Sequence, residues 1–234
     1  MTRLVAVVLA ASLAALAVPA SASSGTAVAE ADATRSASLA GVARRADAEP
    51  ADLAADATYA LPGLIHADRS LDDLRTLFGA KHVKLAEIDA AEGETALGIV
   101  LFADDPTRRA ELFFRDPERR SGIDGLRVRA SGSRWHLDNG IRIGMTLAEL
   151  VRANGMPVSF GGLDWDYGGG ITDWHGGKFT QKEQAPFRTV LLDHAEDAKG
   201  YPMGEGAFRS DDPRYPQQGK VLRVGEIGVS FASD

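Results

Sequence analysis

Ser70-Leu71-Asp72-Asp73-Leu74-Arg75-Thr76-Leu77-Phe78-Gly79 is echoed by Thr146-Leu147-Ala148-Glu149-Leu150-Val151-Arg152-Ala153-Asn154-Gly155, each residue 76 positions after its counterpart. Both segments open on a hydroxyl residue, carry an acid three positions later, place leucines three apart and close on glycine. A hydroxyl at the N-cap and a carboxylate at N3 can each satisfy the other's backbone N–H, and glycine takes up the left-handed conformation that ends a helix without strain. The spacing predicts two short helices, each with one apolar face.

Working outward, strands follow each helix. Residues 110–116 and 189–193 are apolar runs ending in aspartate, with Asp116 and Asp193 offset by 77, while 125–129 and 221–224 share Leu-Arg-Val at an offset of 96. The larger offset implies a 19-residue insertion in the second copy, between Asp193 and Leu222. Its glycines, prolines and aspartates (Gly200-Tyr201-Pro202, Asp211-Asp212-Pro213) predict a long surface loop over 194–220. Further strands are expected at 95–102, at 141–143 and at 226–231. In the last, Ile227, Val229 and Phe231 alternate with Glu226, Gly228 and Ser230, the pattern of a strand with one buried face. The expected fold class is α+β, built as two tandem repeats at 59–138 and 139–234. Each would be a short helical element packed on an antiparallel sheet of about three or four strands.

The N-terminal region reads differently. Arg3, an apolar run over 4–18 and Ala20-Ser21-Ala22 have the layout of a signal peptide ending at residue 22. The run is shorter than the roughly 20 residues a membrane span needs, so export to the periplasm or beyond is expected, with no membrane span. Residues 23–58 hold 13 alanines, no aromatic residue and few large apolar side chains, which reads as a disordered linker.

The 234-residue chain has net charge −7 and no cysteine. That excludes disulfides, thiolate metal sites and cysteine nucleophiles. An acidic chain without a basic stripe is unsuited to nucleic acid.

A tandem of helix-plus-sheet units about 76 residues long in an exported chain resembles the β-lactamase inhibitory protein family, and is similar to the single modules of the BamE/SmpA outer-membrane assembly lipoproteins. Those families use disulfides or a lipidated cysteine, which this chain lacks. The stretch 144–177, with Asn154-Gly155-Met156-Pro157 and Trp165-Asp166-Tyr167-Gly168-Gly169, also resembles an uncharacterised family of exported bacterial proteins marked by an NGxP…WDYGG pattern. The first two resemblances imply a protein-binding or envelope-associated role.

The densest group of unusual residues is Asp164-Trp165-Asp166-Tyr167-Gly168-Gly169-Gly170 followed by Asp173-Trp174-His175-Gly176-Gly177. Glycine-flanked aromatics on loops make good recognition surfaces, because they offer large rigid contact area. Trp165, Tyr167 and Trp174, with Asp166 and His175, are therefore the candidate binding residues; the alternative is that Trp165 and Trp174 fill the core. The Asp164-x-Asp166-x-Gly168 spacing fails as a calcium loop, because its twelfth position is His175. Gly176-Gly177-Lys178 fails as a phosphate loop, because Thr172 and Phe179 stand where glycine and a hydroxyl residue are needed. The five histidines (66, 82, 136, 175, 194) have no zinc-ligand spacing, and no Gly-x-Ser-x-Gly elbow occurs. No metal and no cofactor is expected, and no catalytic residue is assigned from the sequence. The expectation is a non-enzymatic module with a protein partner in the envelope or outside the cell, contacted through 165–174 and the 194–220 insertion. The alternative is a small exported hydrolase with a carboxylate and histidine site between the repeats, in which Asp166 or Asp173 meets His175 or Asp166 and His175 combine with Asp193.

Overall fold

A computed structural model describes residues 59–90, 93–165, 168–182 and 186–231. The proposed leader and linker, and the candidate residues Asp166 and Tyr167, lie outside the described residues.

The two capped segments form α1 (Leu71–Phe78) and α2 (Leu147–Asn154), and both have the reciprocal cap their sequences imply. The Ser70 hydroxyl accepts from the Asp73 N–H at 3.1 Å while Asp73 Oδ2 accepts from the Ser70 N–H at 2.9 Å. At α2 the corresponding distances are 3.2 Å and 2.8 Å between Thr146 and Glu149. Gly155 ends α2 in the left-handed region at φ 80°. Gly79 instead turns the chain into a single 3-10 turn, Ala80–His82. Each helix buries one stripe, Leu74 and Phe78 in α1 and Leu147 and Leu150 in α2.

Six antiparallel strands form the main sheet. The chain order begins with a meander of β2 (Val83–Asp89), β3 (Thr95–Leu101), β4 (Ala110–Asp116) and β5 (Ser121–Val128). The second half contributes β9 (Phe187–His194) and β11 (Leu222–Ser230), giving the sheet order β2-β3-β4-β5-β11-β9. Alternation decides the faces. Ala110, Leu112 and Phe114 of β4 and Leu222, Val224, Ile227 and Val229 of β11 are buried in the core with the helical stripes. The opposite face carries an ion network in which Glu111 accepts from Arg109 and Arg127 at 2.9 Å each, while Arg129 reaches Glu111, Asp89 and Glu226. Burial pushes the Glu226 carboxyl above its ordinary value against the pull of Arg129 and Arg127. The short β1 (Ala60–Leu61) pairs in parallel with β6 (His136–Leu137). Next to β6, Trp135 is buried edge-on to Tyr59, with its indole N–H donating to the Arg108 carbonyl at 2.6 Å.

A second sheet of three strands is formed by β10 (Ala207–Arg209), β7 (Ser159–Gly161) and β8 (Ile171–Asp173), with β7 central. It joins the main sheet through a bridge between Gly170 and Leu191 and a hydrogen bond from the Leu192 N–H to the Gly169 carbonyl.

The element starts keep the spacing of the helices: Val83 and Ser159 are 76 residues apart, Thr95 and Ile171 are 76 apart, and Ala110 and Phe187 are 77 apart. The strand pairing does not follow that spacing. The counterparts of β2 and β3 leave the main sheet, whereas β9 and β11 complete it. The insertion also measures differently in the strand register. Asp116 opposes Ser121 and Asp193 opposes Arg223, so the second connection is 25 residues longer than the first. The shared Leu-Arg-Val misleads because it ends β5 but begins β11.

Two expectations are corrected. The 194–220 stretch is not structureless: it supplies β10 and the start of α3 (Gln218–Val221), with Tyr201 and Gln218 buried. Residues 141–143 form no strand. Gly140 and Gly144 both turn at positive φ, leaving room for one bridge between Arg142 and His136. Among the described residues, no helix is long and apolar enough to cross a membrane.

Candidate functional site

The small sheet and its loops gather most of the polar chemistry. On β7 the pleat sends Phe160 into the core, fully buried, and leaves Ser159 half-buried on the other face. Ser159 is in register with Asp173 on one side and Arg209 on the other, so these three side chains form a row across one face. A bulge between Ser159 and Phe160 on the β8 side adjusts that row. His175, two residues beyond β8 at φ 49°, curls back so that its Nε2 lies 2.8 Å from the Ser159 hydroxyl. Its Nδ1 lies 3.5 Å from Asp173 Oδ2, and the other Asp173 oxygen accepts the His175 backbone N–H at 2.7 Å. Arg209 is held by Asp211 through two contacts of 2.9 Å and 3.0 Å.

Asn154 supports this corner from beneath. It is 2% exposed, donates from Nδ2 to the carbonyls of Met156 and Trp174 at 3.0 Å each, and accepts the Phe179 N–H at 3.1 Å. A side chain at Gly177 would fall on the Asn154 amide, which is why glycine stands there.

A second cluster brackets the loop after β7. Asp164, at φ 63°, accepts from His194 Nε2 at 2.8 Å and from the Tyr201 hydroxyl at 3.0 Å, and the His194 ring stacks on Tyr201 with centroids 4.3 Å apart. The His194 hydrogen bond holds the Asp164 carboxyl below the usual range. Burial pulls His194 down, yet the Ala195 carbonyl and Asp164 outweigh it and leave His194 above its ordinary value. Burial also pushes the Tyr201 hydroxyl up, with Asp164 adding to the effect.

The sequence candidates separate in space. Trp165 is 37% exposed, with its indole N–H donating to the Gly162 carbonyl at 2.9 Å. Trp174 is 8% exposed and packs edge-on against Phe179 at 5.5 Å, so its expected place on a contact surface is corrected: it is a core residue. His175 meets Asp173, as the hydrolase alternative requires. Asp193 is not its partner, because that carboxylate belongs to β9, where it accepts the His194 backbone N–H. Sequence reading missed Ser159, Arg209, His194 and Tyr201 as site residues. Only strand register could have found the first two, and Asp164 meets His194 across 30 residues of chain.

A cleft of about 380 Å³ lies between Asp138-Asn139 and the 178–182 segment. Its Arg188 is clamped by both Asp138 oxygens at 2.7 Å. Among the described residues, no group of three or more histidines and carboxylates could hold a metal ion. Comparison of the chain with family models, curated proteins and solved structures finds no match to any of them.

Proposed function

We propose that the chain is an exported protein-recognition module, and that its contact point is the Trp165 corner with Met203 from the insertion. The observation that carries this reading is the state of Trp165: its ring is partly in solvent, yet its N–H is pinned to Gly162. A pinned aromatic loses little freedom on binding, which is what makes tryptophan a strong anchor at interfaces. Met203 is 61% exposed, and its backbone bridges to Leu163, two residues before Trp165. Asp164 and His194 supply a polar rim of the kind that surrounds such anchors.

The test is capture of partners from envelope and culture extracts by the full chain, compared between wild type, Trp165→Ala, Met203→Ser and a distant control, Phe187→Ser. A partner kept by Phe187→Ser and lost by Trp165→Ala supports the reading, with an expected affinity loss of about 2 kcal/mol or more. Equal capture by all four proteins, or no saturable partner for any, overturns it.

A further inference from the structure

We infer that Ser159, His175 and Asp173 form a nucleophilic serine site on the open face of the small sheet, able to take a carboxylic ester through an acyl-serine intermediate. The argument starts from register. In an antiparallel pair, residues directly opposite have Cβ atoms about 5 Å apart on one face. Ser159 is opposite Asp173 and Arg209 at once, because β7 is the middle strand. A nucleophile, a carboxylate and a cation are therefore set side by side by backbone hydrogen bonds.

His175 completes the chain of contacts. To accept the Ser159 hydroxyl at Nε2, the ring must hold its proton on Nδ1, and that nitrogen faces Asp173 Oδ2. The 3.5 Å separation is longer than a made hydrogen bond, as is common before substrate arrives, and it shortens as the ring gains charge. The carboxylate is already aimed, since its other oxygen is tied to the His175 N–H at 2.7 Å. His175 adopts φ 49°, a conformation that non-glycine residues rarely take and that costs energy; the return is a ring brought back over Ser159. Nothing in the core requires this, because Trp174 and Asn154 already fix the turn from below.

The chemistry balances with water alone. The Ser159 oxygen bonds to the ester carbonyl carbon as its proton passes to His175 Nε2. The carbonyl oxygen takes the negative charge beside the Arg209 guanidinium, the C–O bond to the leaving alcohol breaks, and that oxygen takes the proton from His175. Water then repeats the sequence on the acyl-serine, releasing the acid and restoring Ser159. Asp173 stabilises the imidazolium formed in both halves and remains ionised throughout.

A fluorophosphonate probe and p-nitrophenyl acetate test the site on the full chain. The expected results are a phosphonyl group on the Ser159 peptide by mass spectrometry, with fluoride released. An acetyl group on the same peptide is expected after acid quench with the ester. Both disappear in Ser159→Ala, the labelling rate falls roughly a hundredfold in His175→Gln, and it falls about tenfold in Asp173→Asn. Circular dichroism of each variant checks that the fold is kept. An unlabelled Ser159 in folded wild type overturns the inference, as does a rate unchanged by His175→Gln. The acetyl readout needs no variant, so a variant that fails to fold does not remove the test.

Discussion

Asn154 satisfies three backbone groups from one side chain, at Met156, Trp174 and Phe179, all within a corner that water does not reach. Replacing it by alanine leaves buried amide and carbonyl groups without partners, each costing about 1–3 kcal/mol. Asn154→Ala is therefore expected to lower unfolding stability by about 3 kcal/mol in a denaturant titration. Gly177→Ala is expected to be harmful for the converse reason, since its new methyl group collides with the same amide. In the double variant the collision is gone, so the combined loss should fall short of the two single losses added together. Strict additivity would sever the link between the two positions. The sequence displays Asn154-Gly155 as a helix stop and Gly176-Gly177 as a turn. It cannot display that the asparagine turns inward and that the second glycine makes room for it, because that relation spans 23 residues and exists only after folding.

The elements differ in how much of them can be read locally. The two helices were legible because cap, apolar stripe and stop all lie within ten consecutive residues. Strands β4 and β11 were legible from alternation, and the 226–231 reading errs only in missing the four residues by which β11 starts earlier. Strands β7, β8 and β10 are three residues each, too short for periodicity to declare them, and Ser159 went unnoticed with them. The cluster joining Asp164 after β7, His194 at the end of β9 and Tyr201 in the insertion links three such elements. Its pH behaviour follows from its shifts. The lowered Asp164 contributes stability above the ordinary carboxylate value of 3.8 and loses it as pH falls through its lowered value. The raised His194 contributes stability below its ordinary 6.5 and loses it as pH rises through its raised value. The pair therefore holds the insertion best in the mildly acidic window between those limits. The difference in thermal midpoint between wild type and His194→Gln should be largest near about pH 5.5 and shrink by about pH 8.5. A difference that is constant over this range would mean that His194 acts only by packing.

At the scale of the whole molecule, α+β with antiparallel sheets was legible from composition and pattern, and the division of strands between sheets was not. Repeat spacing fixes where elements begin; hydrogen-bond partners are chosen by which edges and apolar faces are free when the chain collapses. Here β5 has an open edge and β11 fills it: Ile227 opposes Val128 and Val229 opposes Leu126. This single seam is where 59–138 and 139–234 meet in one sheet. Its two strands are about a hundred residues apart in sequence, so closing it carries a large loop entropy and should come late and slowly in refolding. The same seam makes the molecule divisible. Separate chains of 59–138 and 139–234 should each remain unstructured or aggregate through an unpaired edge, and on mixing should form a one-to-one complex with the circular dichroism of the intact protein. A 59–138 chain that folds cooperatively and ignores its complement would mean that the seam is only a contact. If the two halves do reconstitute, the edge of β5 is an adhesive surface that the chain closes with its own last strand, and the 222–230 peptide by itself should be a competitive inhibitor of assembly.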